Sequence, residues 1–168
     1  ATQAHPQVVG VQNQGCRALR FVCRGTDAAA LARKQRAVDA GMFEVVVAAM
    51  QAHQQVVVLQ QHGCTALGTV CFGIDAAGLA RKQRAVEAGA FEAAVAAMQA
   101  HRQAATVQVE GCIVLSNVFV GEDAAGQARR QRAVAAGGRG AAAAAMQAHP
   151  GHAEVQRVGS AVVNGLRV

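Results

Sequence analysis

The chain has no Trp, no Tyr and only five Phe in 168 residues. A core cannot be hung on a few large aromatic anchors, and must come from many small contacts, chiefly Ala and Val, which suits closely packed helices. Runs of about 18 apolar residues, the length a membrane-spanning helix needs, are also missing. The stretch from Gly140 to Met146 is Ala-dominated but far too short. No charged leader precedes an apolar segment, so no targeting signal is legible at either end. Apolar and polar residues nowhere alternate with period two over a useful length, which argues against strands. A Gly-rich phosphate loop is absent as well. With 52% hydrophobic residues the chain is nevertheless a folded object rather than a disordered tail.

What is present is a repeat. Gly15-Cys16 returns as Gly63-Cys64, Gly111-Cys112 and Gly159-Ser160, always 48 residues on. Gln35-Arg36-Ala37-Val38 returns at Gln83 to Val86 and Gln131 to Val134. Gln51-Ala52-His53 has counterparts at Gln3-Ala4-His5, Gln99-Ala100-His101 and Gln147-Ala148-His149. Residues 1–48 laid over 49–96 give 32 identities, and 49–96 over 97–144 give 27. The expected units are 1–48, 49–96, 97–144 and a partial 145–168. Because the chain starts within a second helix at Ala1 and stops within a third at Val168, with no polar capping unit at either end, it is expected to be part of a longer array.

Each unit reads as three helices. The first starts after Asp27, Asp75 or Asp123, whose carboxylates can accept from the free amides of a first turn, and stops at Gly41, Gly89 or Gly137. The second carries Phe43, Val46, Val47 and Met50 at helical spacing, and ends near His53. The third follows Val56, Leu59, Gly63, Leu67 and Val70, with Leu19, Leu67 and Leu115 as buried positions.

The third-helix pattern Val107, Gln108, Gly111, Cys112 and Leu115 resembles the signature segment of the armadillo repeat. Arg36 to Gly41 leading into Phe43-Glu44 is similar to the turn between that family's first and second helices. The resemblance covers the whole chain, although 48 residues exceeds the usual armadillo unit; HEAT-type repeats are the nearest alternative. It implies an all-α, right-handed superhelical solenoid of three-helix armadillo-like repeats, whose third helices line a concave groove holding a peptide of a protein partner, without cofactor. Typical grooves of the family are laddered with Asn, and with Trp four residues earlier. Here the Asn column reads Phe21, Thr69, Asn117 and Gly165, and the Trp column Arg17, Thr65, Ile113 and Ala161. General recognition of basic peptides is therefore not expected, and another protein partner, including a large multisubunit complex, is.

Near-copies differ where the scaffold does not dictate the residue. The candidate partner-binding groove is accordingly Arg17, Phe21 and Arg24 in the first unit, Thr65, Thr69 and Phe72 in the second, and Ile113, Asn117 and Val120 in the third. An acidic or aromatic-contacting segment is expected near Arg17, Phe21 and Arg24, with Asn117 holding partner backbone.

The remaining charge chemistry reads as scaffold. Lys and Arg outnumber Asp and Glu by sixteen to ten, a net +6. Nine of the basic residues form triplets, Arg33-Lys34-Arg36, Arg81-Lys82-Arg84 and Arg129-Arg130-Arg132, expected to stack as a solvated stripe along one edge, with Arg36 and Arg84 paired to Asp39 and Glu87 three residues on. That basic edge offers the rival reading, an anionic polymer or surface as partner. No aromatics interleave with it to stack bases, so nucleic acid is not the expected partner. Cys16 and Cys23 lie about 10 Å apart along one helix, beyond the reach of a disulfide. Cysteines in register are separated by the spacing of packed helices. They read as buried thiols in a reducing compartment. The His5, His53, His101 and His149 ladder is likewise too widely spaced to share a metal. No nucleophile and base stand apart from the repeat, so neither enzyme nor metal site is expected.

Overall fold

A computed structural model describes residue 5 and residues 7–167. Gln3 and Ala4 of the first His-containing landmark, and the terminal Ala1 and Val168, lie outside the described residues. The described chain is all-α: α1 (Val9–Val22), α2 (Ala28–Asp39), α3 (Met42–Ala52), α4 (Val57–Val70), α5 (Ala76–Glu87), α6 (Ala90–Ala100), α7 (Ala105–Phe119), α8 (Ala124–Ala135), α9 (Gly138–Ala148) and α10 (Ala153–Gly165). Among the described residues there is no strand.

Local chemistry sets the boundaries. The carboxylates of Asp27, Asp75 and Asp123 accept from the amides of Ala30, Gly78 and Gly126 at 2.6, 3.1 and 2.8 Å, capping α2, α5 and α8. Gly41, Gly89 and Gly137 sit at φ +76, +86 and +84, a left-handed conformation that turns the chain from one helix straight into the next and that a side chain would strain.

The core runs through the middle of the chain. α4 packs against α1 on one side and α7 on the other, and α10 packs against α7 and α9. Phe43, Val46, Val47 and Met50 are all buried, as are Leu67 and Leu115; Leu19, on the first of these helices, is only partly so. Glycine in the Gly-Cys landmark has a packing reason. A Cβ on Gly63, Gly111 or Gly159 would stand 2.6, 2.5 or 2.6 Å from Met50, Met98 or Met146, so its absence lets the methionine of the second helix lie on the backbone of the third.

Two polar ladders tie these units. Gln60 Nε2 donates to the carbonyls of Met50 and His53, Gln108 Nε2 to those of Met98 and His101, and Gln156 Nε2 to those of Met146 and His149, all at 2.8–3.0 Å. Each glutamine thereby reaches two carbonyls at the end of the preceding helix, of which the histidine's also accepts from the amide three residues on. Between units, His101 Nε2 lies 2.7 Å from Gln54 O and His149 Nε2 2.8 Å from Arg102 O. The histidine register is thus a set of cross-ties as well as helix ends. Gln108 is 2% exposed. Its replacement by Leu, similar in bulk but unable to donate, strands the Met98 carbonyl and leaves His101 O with the Ala104 amide alone, and is expected to cost about 1–3 kcal/mol in denaturant titrations. Wild-type stability in that variant would remove the glutamine ladder from the forces holding the fold.

Candidate functional site

Six of the nine predicted groove residues surround one open cavity of about 340 Å³: Arg24, Thr65, Thr69, Phe72, Ile113 and Asn117. Gly25, Thr26, Lys34, Gly68 and Glu110 complete its lining. The walls come from the segment joining α1 to α2, the C-terminal end of α4, the middle of α7 and the second turn of α2. Arg17 and Phe21 are not on this lining. They form a separate exposed patch on α1, where the guanidinium carbons of Arg17 and Arg20 stand 5.9 and 5.7 Å from the centre of the Phe21 ring. Val120 is the C-cap of α7, and its carbonyl accepts from Arg129. Phe21 and Phe72 are 56% and 52% exposed, a large apolar surface to leave facing water.

Two of the groove residues have other work. Asn117 Nδ2 donates to Gly68 O at 3.1 Å, so the amide expected to hold partner backbone holds α4 instead. The reason is proximity: Gly68 has no side chain, and α7 approaches closely enough that a Cβ there would stand 3.2 Å from Ile113. Thr65 is 9% exposed and its hydroxyl donates to Gln61 O at 2.9 Å, because α4 is covered on both flanks.

The basic edge is corrected by the structure. Lys34, Arg81, Lys82 and Arg129 are 1–2% exposed, so these members of the triplets are not a solvated stripe. All but Lys34 reach to carbonyls at the C-terminal ends of α4 and α7, as the half-buried Arg33 does at the end of α1, where unpaired oxygens and the helix dipole favour a cation. Arg33 Nε donates to Val22 O at 2.6 Å, Arg81 Nε to Val70 O at 3.1 Å, Arg129 Nη2 to Val120 O at 2.7 Å and Arg130 Nη1 to Gly121 O at 2.7 Å. Lys82 Nζ donates to Cys71 O at 2.7 Å and also to Asn117 O. Only Arg36, Arg84 and Arg132 are exposed. Their pairing also differs from the expectation. Arg84 meets Glu44 at 3.3 Å and Arg132 meets Glu92 at 2.6 Å, each on the preceding unit, while Asp39 and Glu87 accept from Gln35 and Gln83.

Lys34 is the exception among the buried cations. It has no hydrogen-bond acceptor and no ion pair among the described residues; its Nζ lies 5.6 Å from the centre of the Phe72 ring, beside the cavity. Burial, followed by the repulsion of Arg81, holds its ammonium below the ordinary lysine range. Across the cavity, burial pushes the Glu110 carboxyl up, against the opposing pull of the Thr65 hydroxyl and of Arg20. On the neighbouring flank His62 Nδ1 lies 2.8 Å from Asn13 Oδ1, and burial, then Arg20 and Arg17, hold the ring's pKa down. Sequence reasoning missed Glu110 and His62. The signal was there: the column Gln14, His62, Glu110 and Val158 changes character in every unit, as the chosen groove columns do.

All five cysteines are free and buried. Burial raises Cys16 to about 11 and Cys71 and Cys112 to about 12, and raises Cys64 further, which makes them inert thiols. Among the described residues no helix is long and apolar enough to cross a membrane. No protein-family model, curated protein or solved structure matches the chain.

Proposed function

We propose that the chain is an armadillo-like, right-handed superhelical solenoid acting as a non-enzymatic scaffold, and that it binds a protein partner through the surface formed by its third helices. The observation that carries this reading is the convergence of Arg24, Thr65, Thr69, Phe72, Ile113 and Asn117, drawn from three successive 48-residue units, on one open cavity. Its supports are the unbroken sequence period, the packing of α4 between α1 and α7, and two exposed phenylalanines flanked by cations. Exposed aromatics beside Arg are what protein interfaces use as anchors. The rival, an anionic polymer held along the basic edge, loses ground because four of the nine edge cations are buried and two of the three exposed ones are paired with glutamates.

Selection of dodecapeptides displayed on phage against the immobilised chain tests the reading. Selected peptides are expected to bind the Phe21→Ala/Phe72→Ala double variant at least about tenfold more weakly, a loss of about 1.4 kcal/mol. Both rings are already half in water, so the variant should melt as the wild type does. Unchanged affinity in the folded double variant moves the interface off this face; recovery of no peptide at all removes the groove as a peptide site.

A further inference from the structure

The groove also contains a feature that the scaffold alone does not require. Lys34, Lys82 and Arg130 share one register in the 48-residue period. Lys82 and Arg130 each donate to carbonyls, and by register the acceptors of Lys34 would be Cys23 O and Thr69 O. Neither accepts from it. Lys34 as a residue is 1% exposed, and its ammonium, which opens on the cavity, carries three donors with no acceptor among the described residues. It lies against the face of Phe72, a residue whose counterparts in the same column are Arg24 and Val120, and Asp75 attracts it from beyond ion-pair distance. The cavity opens beside this ammonium. Arg24, exposed and without an ion pair among the described residues, stands on the lining, and Glu110 is the single carboxyl there.

We propose that this cavity is a subsite for one carboxylate side chain, Asp or Glu, carried on an extended segment of a protein partner, with Lys34 as its buried counter-charge, Arg24 as a second donor and the Phe72 ring against its methylenes. The inference rests on the scaffold reading and deepens it by naming the chemistry of the partner. Size and polarity select the ligand. About 340 Å³ is at the small end of ligand sites, enough for a side chain and its adjoining backbone. The walls of Phe72, Ile113 and Gly68 suit a short apolar stem. A carboxylate carries one charge, which one ammonium and one guanidinium can satisfy even beside Glu110; a phosphate monoester brings nearly two beside the same carboxyl.

Fluorescence anisotropy on the whole chain, with a fluorescein-labelled ten-residue oligoglutamate as probe and a ten-residue oligothymidylate as the polyanion control, tests the subsite. Oligoglutamate is expected to bind wild type, to bind Lys34→Met at least about tenfold more weakly, and to bind Arg139→Met, which removes one exposed charge from α9, within about twofold of wild type. Thermal melts of Lys34→Met establish that it is folded. No binding of oligoglutamate to wild type, or equal binding to folded Lys34→Met, overturns the proposal. So does oligothymidylate binding that matches oligoglutamate and falls in parallel with it, since the site would then read charge alone. Phage-selected peptides that lack Asp and Glu, ignore Lys34→Met and still depend on Phe21 and Phe72 would sink the carboxylate subsite while leaving the scaffold reading standing. Failure of the folded double phenylalanine variant to weaken any selected peptide would instead move the interface off this face, and the subsite with it.

Discussion

Truncating Phe91 to Ala is expected to destabilise the chain by about 3–5 kcal/mol, while the same truncation at Arg139, one period later, costs less than about 0.5 kcal/mol. The two positions are equivalent in the repeat and differ in physics. Phe43 and Phe91 are 0% exposed, whereas Arg139 is exposed. α9 has little else to bury: Gly138, Ala141, Ala142 and Ala145 make up its buried face. Met146 is only half-buried where Met50 and Met98 are 2% and 1% exposed. A cavity of about 130 Å³ lies beside Met98, Gln108, Ala141 and Ala145, where larger side chains would have filled space. Gly140, where a Cβ would meet nothing within 4 Å, weakens the helix by about 1 kcal/mol relative to Ala. Gly140 also ends the ion-pair ladder, standing where Glu44 and Glu92 receive Arg84 and Arg132. Amide hydrogen exchange is therefore expected to be faster over 138–148 than over 42–52. Equal protection of the two helices, or a Phe91→Ala variant as stable as wild type, would show that the missing phenylalanine is compensated by packing not visible here.

Most of the fold's local logic was legible because it is written in neighbouring residues and repeated. Asp27, Asp75 and Asp123 act within three residues of themselves, Gly41 and its counterparts act on their own backbone, and the Met50 face shows in a period of 3.6. The basic triplets failed for the opposite reason. Read alone, Arg81-Lys82 is a charged helix surface; only the position of the preceding helix end, nine to eleven residues back in the chain, reveals carbonyls waiting for those donors. The ion pairs were misread in the same way, since Arg84 prefers Glu44 forty residues away to Glu87 three residues away. Asn117 and Lys34 exchanged roles on the same account. An asparagine chosen for its likeness to a peptide-gripping column is occupied by Gly68, and a lysine assigned to the solvated edge faces the groove. Variation between near-copies picked out nine positions, six of which share one cavity. It could not tell which side chains the scaffold had already engaged.

Replacing Lys82 with Met is expected to cost about 2–4 kcal/mol, and replacing Lys34 with Met, the same substitution in the same register, no more than about 1 kcal/mol in either direction. Methionine keeps the length and most of the bulk of lysine, so the comparison isolates the ammonium. At Lys82 that group bridges the end of α4, through Cys71 O, to α7, through Asn117 O. Its loss strands two carbonyls at about 1–3 kcal/mol each, partly offset by no longer burying a charge. At Lys34 no carbonyl is stranded, and what goes is a cation–π contact with Phe72 against the relief of an ammonium without acceptors. Alkaline pH gives an internal check on both variants. Burial holds both lysines below their ordinary value of 10.5, so between the folded and the unfolded pKa the unfolded chain keeps protons that the folded chain has released. Wild type should therefore gain stability relative to either Met variant as pH rises toward 10.5. Equal losses for the two substitutions would mean that Lys34 also closes a helix end, which would take away the free donors on which the carboxylate subsite depends.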